Sequence, residues 1–347
     1  MTLDLIQMRI PAKLKQALKK ALYVLRLVSF RITSGNPGKL SILEKYVDNL
    51  RHEYSFGCID HKDYADYFSL QNTTGGKNNV DSMLCRYEHF QSPWFQRWSQ
   101  EMGLYSCEAL HLGAKFHRKA WEWCAIAQAL SERGMLEPGK RGLGFAVGTE
   151  PLPALFAKYG VSVLATDLDV RDRRAKAWAS TNQHASSLDK LYYQKILAKD
   201  TFESNVDFQF ADMKSPRDIE GKFDFIWSSC ALEHLGNLME GFAFIFKACR
   251  LLKPGGICVH TTEYNITSND DTIECGPSVI YRRRDIENLD FLLRRSGFCL
   301  EKVDFWAGRD LHDRVYDTEP YYQSGKQHIK LLLDGHVTTS MTLVIYA

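Results

Sequence analysis

None of the nine cysteines (58, 85, 107, 124, 230, 249, 258, 275 and 299) stands in a CxxC pair, and their number is odd. A metal ribbon and a disulfide-stapled scaffold are therefore not expected, and a reducing cytoplasm is the expected compartment. No signal peptide is visible, and no apolar run approaches the roughly 18 residues of a membrane span. The most apolar early run, 22–30, is broken by Arg26. Internal repeats and low-complexity tracts are also missing. A basic body is missing as well. Residues 1–32 hold seven Lys/Arg against one acid, Asp4; the rest of the chain carries 37 basic and 41 acidic residues, a net charge of −4. Such a body is poorly suited to tracking a phosphate backbone, so nucleic acid is not expected as a partner.

What remains is an ordinary globular composition, 45% hydrophobic over 347 residues, enough for one large α/β domain plus an extension. Residues 12–32 predict an amphipathic helix. Leu14, Leu18, Ala21, Leu22, Leu25, Val28 and Ile32 share one face, and Lys13, Lys15, Lys19, Lys20 and Arg26 lie opposite. It either docks on the core or adsorbs to an anionic membrane surface or a partner protein. Residues 39–135 carry few strand signals; aromatic helices at 92–99 and 118–133 and a loop at 71–79 suggest a helical cap, giving an N-terminal extension of 1–135. From 136 to 347 strands and helices alternate. Strands are expected at 142–147, 162–166, 206–210, 223–228, 257–262, 299–306 and 341–346, and helices at 153–159, 171–197, 237–252 and 285–296. That order predicts a doubly wound, seven-stranded α/β sheet with an antiparallel last strand.

Within it, Gly142–Asp169 (GLGFAVGTEPLPALFAKYGVSVLATDLD) reads as a buried strand, a glycine turn, a helix and a second strand ending in acid. A strand that feeds a helix through such a turn points backbone N–H groups above the sheet edge, and an acid about 20 residues on can grip a ribose diol. Alone, the pattern fits nicotinamide enzymes as well as methyltransferases. Two further motifs follow: Phe223–His234 (FDFIWSSCALEH), and Leu252–Gly256 (LKPGG) ahead of the fifth strand.

Together these motifs resemble the class I S-adenosylmethionine-dependent methyltransferases, over about residues 136–347. The resemblance implies a Rossmann-like fold and S-adenosylmethionine as cofactor. It implies a cofactor site built from Phe145, Ala146, Gly148 and Glu150 at the first turn and Asp167 and Leu168 after the second strand. Asp167 would take the ribose, with Asp169 as fallback. Asp212 would sit beside the adenine amino group with Met213 on the ring, and Ser228 and Ser229 beneath the reactive methyl. One departure stands out. Where the family has acid-x-Gly-x-Gly-x-Gly, this chain has Gly144, Ala146, Gly148 and Glu150, with a single matching glycine and no usual acid. Glu150 either contacts the methionine ammonium in place of that acid or caps the following helix.

For catalysis the expected residues are Glu233 and His234, which open the segment after the fourth strand, and Glu263 in His260–Asn265 (HTTEYN). Methyl transfer to a hydroxyl needs an aligned nucleophile and a base, and a histidine suits the latter. The Glu-His pair with the later Glu-aromatic-Asn is similar to magnesium-dependent small-RNA 2′-O-methyltransferases. That implies Mg²⁺ on Glu233, His234 and Glu263, helped by Asp285; the further ligand would fall on Cys230, a poor magnesium donor. Between the last two strands, Asp310, His312, Tyr321, Tyr322 and His328 are the expected substrate contacts, because acids bond hydroxyls and rings stack on sugars. The first turn (GFAVGTEPL) and HTTEYN also resemble bacterial methyltransferases of surface glycan biosynthesis. This implies a glycan or glycolipid acceptor and work at the inner membrane face. An RNA 2′-hydroxyl and a non-catalytic cofactor-binding scaffold are the alternatives.

Overall fold

The computed structural model describes residues 79–106, 115–176, 183–322 and 327–347. The helix expected at 12–32, and the membrane or partner contact assigned to it, lie outside these residues. Among the described residues no helix is long and apolar enough to cross a membrane.

The strands are β1 (Ser82–Met83), β2 (Arg141–Phe145), β3 (Ser162–Asp167), β4 (Val206–Phe210), β5 (Phe223–Ser228), β6 (Leu252–Asn265), β7 (Cys299–Leu300), β8 (Val303–Asp304), β9 (Leu331–Leu333) and β10 (His336–Tyr346). The main sheet runs β4-β3-β2-β5-β6-β10-β7, with β9 on β10. Strands β2 to β6 pair in parallel. The last strand, β10, runs antiparallel to β6 from Thr338 opposite Asn265 to Tyr346 opposite Ile257. The expected doubly wound sheet with a reversed final strand is what forms.

Helices α1 (Pro93–Glu101), α2 (Arg118–Glu132), α3 (Leu152–Lys158), α4 (Lys199–Asn205), α5 (Leu238–Arg250) and α6 (Arg283–Arg295) surround the sheet. Alternation along β5 shows the layering. Phe225 and Trp227 join one core with Trp121 of α2 and Phe156 of α3, while Ile226 joins the other with Phe244 and Ile245 of α5. A strand buried on both faces needs such a continuous apolar run.

Two expected elements differ. In the expected helix 171–197, short 3-10 turns stand at Arg173–Ala175 and Leu188–Leu191. Asp169 and Asp172 accept hydrogen bonds from the N–H groups of Arg171 and Arg174, both at 2.8 Å, and this local bonding competes with a helical ladder. The strand expected at 299–306 is split. Cys299–Leu300 pairs with β10, whereas Val303–Asp304 pairs in parallel with β1. The Arg86 guanidinium secures the second half, donating to Asp304 at 2.6 Å and to the Trp306 carbonyl at 3.2 Å.

Candidate active site

At the end of β2 the chain turns through Ala146 and Gly148, both with positive φ (49° and 53°). The Gly148 N–H donates to Asp167 Oδ2 at 3.1 Å, joined there by the Ala185 N–H at 3.0 Å, while Leu168 N–H donates to Oδ1 at 2.8 Å. Asp167 therefore ties three backbone segments together at the tip of β3. A carboxylate offers about four acceptor positions, so one is left for a ligand hydroxyl rather than a bidentate grip. Burial raises the Asp167 carboxyl. A Cβ on Gly148 would lie 2.5 Å from the Gln183 carbonyl oxygen. With the positive φ added, Gly148→Ala should cost about 1–3 kcal/mol of stability and weaken cofactor binding at least tenfold, read by urea unfolding and calorimetry.

Glu150 follows, buried, with Oε1 accepting from the Trp227 indole N–H at 2.6 Å. Burial pushes its carboxyl up to about 8. Between the ordinary value near 4.5 and that level the folded chain holds a proton that the unfolded chain has released. Stability must therefore fall as pH rises through this window, by about 1.4 kcal/mol per unit. Glu150→Gln should flatten the slope, as comparison of urea midpoints at pH 5.5 and 7.5 in the two proteins would show. Asp212 lines the cavity, where the Arg174 guanidinium donates to it at 2.7 Å and Lys214 N–H at 2.9 Å. Met213 is buried beside it. Asp169 pairs with Arg171 instead of facing the cavity.

Ser228 and Ser229 part company. Ser228 is fully buried and shares a 2.8 Å hydrogen bond with His260 Nδ1, away from the cavity. Ser229 lines the cavity and donates to Glu122 Oε2 at 3.1 Å.

Glu122 belongs to a charged cluster that the sequence motifs do not announce, carried by the first turns of α2. Its carboxylate accepts from Ser229, Thr261 at 2.9 Å, the Cys230 thiol at 3.3 Å and Ser340, and pairs with Lys119 at 3.6 Å. Burial works to raise it, but Lys119 and Arg118 outweigh that and hold it below the usual range. Arg118 also pairs with Glu263 and donates to Ser340 at 2.9 Å. Burial raises the Glu263 carboxyl against the pull of Arg118. Glu233 accepts from Thr262 at 3.0 Å.

This arrangement bears on the magnesium expectation. Cys230, Glu233 and Glu263 offer ligand atoms within 4.8 Å of one another. His234 is not in the group; its Nδ1 bonds the Pro277 carbonyl at 2.9 Å. Asp285 is committed to the Arg282 guanidinium at 2.8 Å. A buried thiol raised by desolvation, and a carboxylate already neutralised by arginine, do not make a site for a hard, oxygen-seeking cation. The donor set does not fit magnesium.

The opposite wall comes from the 309–336 segment and the start of α2. Tyr321, Tyr322 and His328 line it with His117 and Tyr105. Asp310 and His312 do not reach the cavity; Asp310 caps a 3-10 turn and His312 packs on Tyr87 at 4.3 Å. Both walls enclose about 840 Å³ at the carboxyl ends of β2, β3 and β5, within the range of about 300–1,000 Å³ usual for ligand sites. It lies where the strand order reverses, the place a doubly wound sheet offers a cofactor.

The family described as a methyltransferase domain matches residues 116–317. The chain belongs to that family. Its members' methyl donor is S-adenosylmethionine. No curated protein matches the chain. Among solved structures it is similar to the magnesium protoporphyrin IX methyltransferase of Synechocystis PCC 6803 with bound S-adenosylhomocysteine (14% identity, 74% of this chain and 96% of that one, TM-score 0.41). A methyltransferase of Mesorhizobium loti (17%, 64% and 98%, 0.37) and CcbJ of Streptomyces caelestis (15%, 62% and 91%, 0.36) are also similar. At these identities the likeness carries no argument about the acceptor.

Proposed function

We propose that this methyltransferase domain methylates a sugar hydroxyl of a bacterial surface polysaccharide or of its lipid-linked precursor. The observation that carries this reading is the composition of the acceptor wall. Tyr321, Tyr322 and His328 face a cavity whose floor holds Glu233 and Glu263. Rings pack on the apolar faces of a pyranose while carboxylates bond its hydroxyls. S-adenosylmethionine, when bound, supplies an electrophilic methyl on a sulfonium.

This chain's residues do the holding. Gly148 lets the backbone come close, and Asp167 keeps the turn in shape with one acceptor position left for the ribose. Glu150 meets the methionine ammonium and gives up its raised proton on doing so. Asp212 and Met213 take the adenine once Arg174 shifts, and Phe145, Ala146 and Leu168 border the same space. Glu233, His234 and Glu263 present polar groups to the acceptor. RNA 2′-O-methylation has less behind it, because the magnesium set is incomplete and the body is acidic.

Transfer of labelled methyl groups decides between acceptors. Incubated with methyl-labelled S-adenosylmethionine, the protein should label a bacterial glycolipid extract and leave total RNA unlabelled. Label in the RNA alone would overturn the glycan reading.

A further inference from the structure

His328 and Asp317 form a buried pair that the cofactor and charged-cluster roles leave unused. Asp317 is fully buried, and its Oδ2 accepts from His328 Nδ1 at 2.8 Å and from the Tyr322 N–H at 3.0 Å. Thr318 N–H donates to Oδ1 at 3.0 Å. With the Nδ1 proton directed at a carboxylate, the acceptor lone pair of the neutral imidazole is on Nε2, and the ring lines the acceptor cavity. Its backbone is fixed at both ends to the start of α2, donating to Phe116 O at 3.0 Å and accepting from Arg118 N–H at 2.9 Å. Such double fixing suits a group that must be aimed.

Its neighbours are shaped by the same carboxylate. Tyr322 stacks on the His328 ring at 4.3 Å and has φ +70°, a conformation costly for a bulky residue. The Asp317 bond to its N–H and a 2.6 Å bond from His117 Nε2 to its hydroxyl oxygen hold it there. His117 Nδ1 accepts from Lys119 N–H, so its Nε2 hydrogen is the one given to the tyrosine. Of the cavity's carboxylates, Glu263 pairs with Arg118 and Glu233 accepts from Thr262.

We infer that His328, oriented by Asp317, is the base that accepts the proton of the acceptor hydroxyl. The inference rests on the O-methylation reading above. As the acceptor oxygen bonds the methyl carbon, the carbon–sulfur bond breaks and its electron pair goes to sulfur. The hydroxyl proton goes to His328 Nε2 and from there to solvent. Asp317, His117, Tyr321, Tyr322, Arg118 and Lys115 are the titratable and charged groups facing the ring. Burial lowers the imidazole to about 4, so at neutral pH it is unprotonated.

The full chain, methyl-labelled S-adenosylmethionine and a bacterial glycolipid extract make the test. His328→Gln should lower kcat by about 100-fold or more, the usual range for loss of a general base, with KM and S-adenosylhomocysteine affinity within threefold. Imidazole should restore turnover to His328→Ala. Asp317→Asn, acting on position, should lower kcat and move the acid limb of its pH profile. A His328→Gln enzyme keeping more than a third of its turnover overturns the assignment. Should that variant lose its fold, imidazole rescue of His328→Ala decides, and no rescue refutes it. Failure of the O-methylation reading is separate and visible first: wild type would leave the extract's hydroxyls unlabelled, and the base role would fall with it.

Discussion

Arg118→Met should destabilise the protein by about 3–5 kcal/mol, the cost of leaving a buried charge without its partner. Arg118 is buried and joins Glu122 and Glu263, drawn from α2 and β6, to Ser340 of β10. Without it Glu263 must either remain charged in a low-dielectric site or take up a proton. Since burial already raises that carboxyl, it will take the proton as pH falls. The destabilisation should therefore be largest near pH 8 and shrink towards pH 5, read from urea unfolding across that range. Arg118→Met combined with Glu263→Gln should recover part of the loss, because the pair is then replaced by neutral groups. Equal losses at both pH values, or strict additivity of the two substitutions, would mean the ion pair is not what holds α2 to the sheet.

Asp167→Asn should be nearly as damaging to cofactor binding as Asp167→Ala, with S-adenosylhomocysteine affinity at least about 100-fold weaker, some 2.7 kcal/mol. Both Asp167 oxygens accept from backbone donors: Leu168 on one, Gly148 and Ala185 on the other. An amide has one oxygen, so in either orientation its NH₂ points at an N–H group. Each buried donor left unpaired costs about 1–3 kcal/mol. The loss would fall on the turn that lies against the cofactor. If Asp167→Asn bound like wild type, the carboxylate would be neither the clasp of the turn nor the ribose contact.

Much of the fold was readable because strand and helix periods are local. The strands 206–210 and 223–228 match their expected bounds, and the reversal of the last strand followed from the lack of a helical crossover before it. In the described residues around 171–175 the helical composition was overridden locally, because Asp169 and Asp172 bond the backbone two residues on. For the site, the glycine turn and Asp167 were legible from spacing. Arg118, Lys119 and Glu122 were not. They sit in an ordinary amphipathic helix far from the motifs, and only packing of α2 on β6 and β10 turns them into a buried cluster. One signal was available: Arg118, Lys119 and Glu122 lie on or beside the apolar face of that helix, among Ala120, Trp121 and Ala125. Asp310 and His312 were grouped with Tyr321 and His328 by sequence nearness. Chain direction separates them, since Asp310 caps its own turn.

Isothermal titration of the wild-type protein with S-adenosylhomocysteine tests the central claim most directly, that the cavity at the carboxyl ends of β2, β3 and β5 holds the methyl donor. The account predicts saturable binding at one site per chain, with release of a proton as Glu150 ionises against the ammonium, seen as a dependence of the heat on the buffer. Absence of binding by protein that retains its cooperative unfolding transition would contradict it.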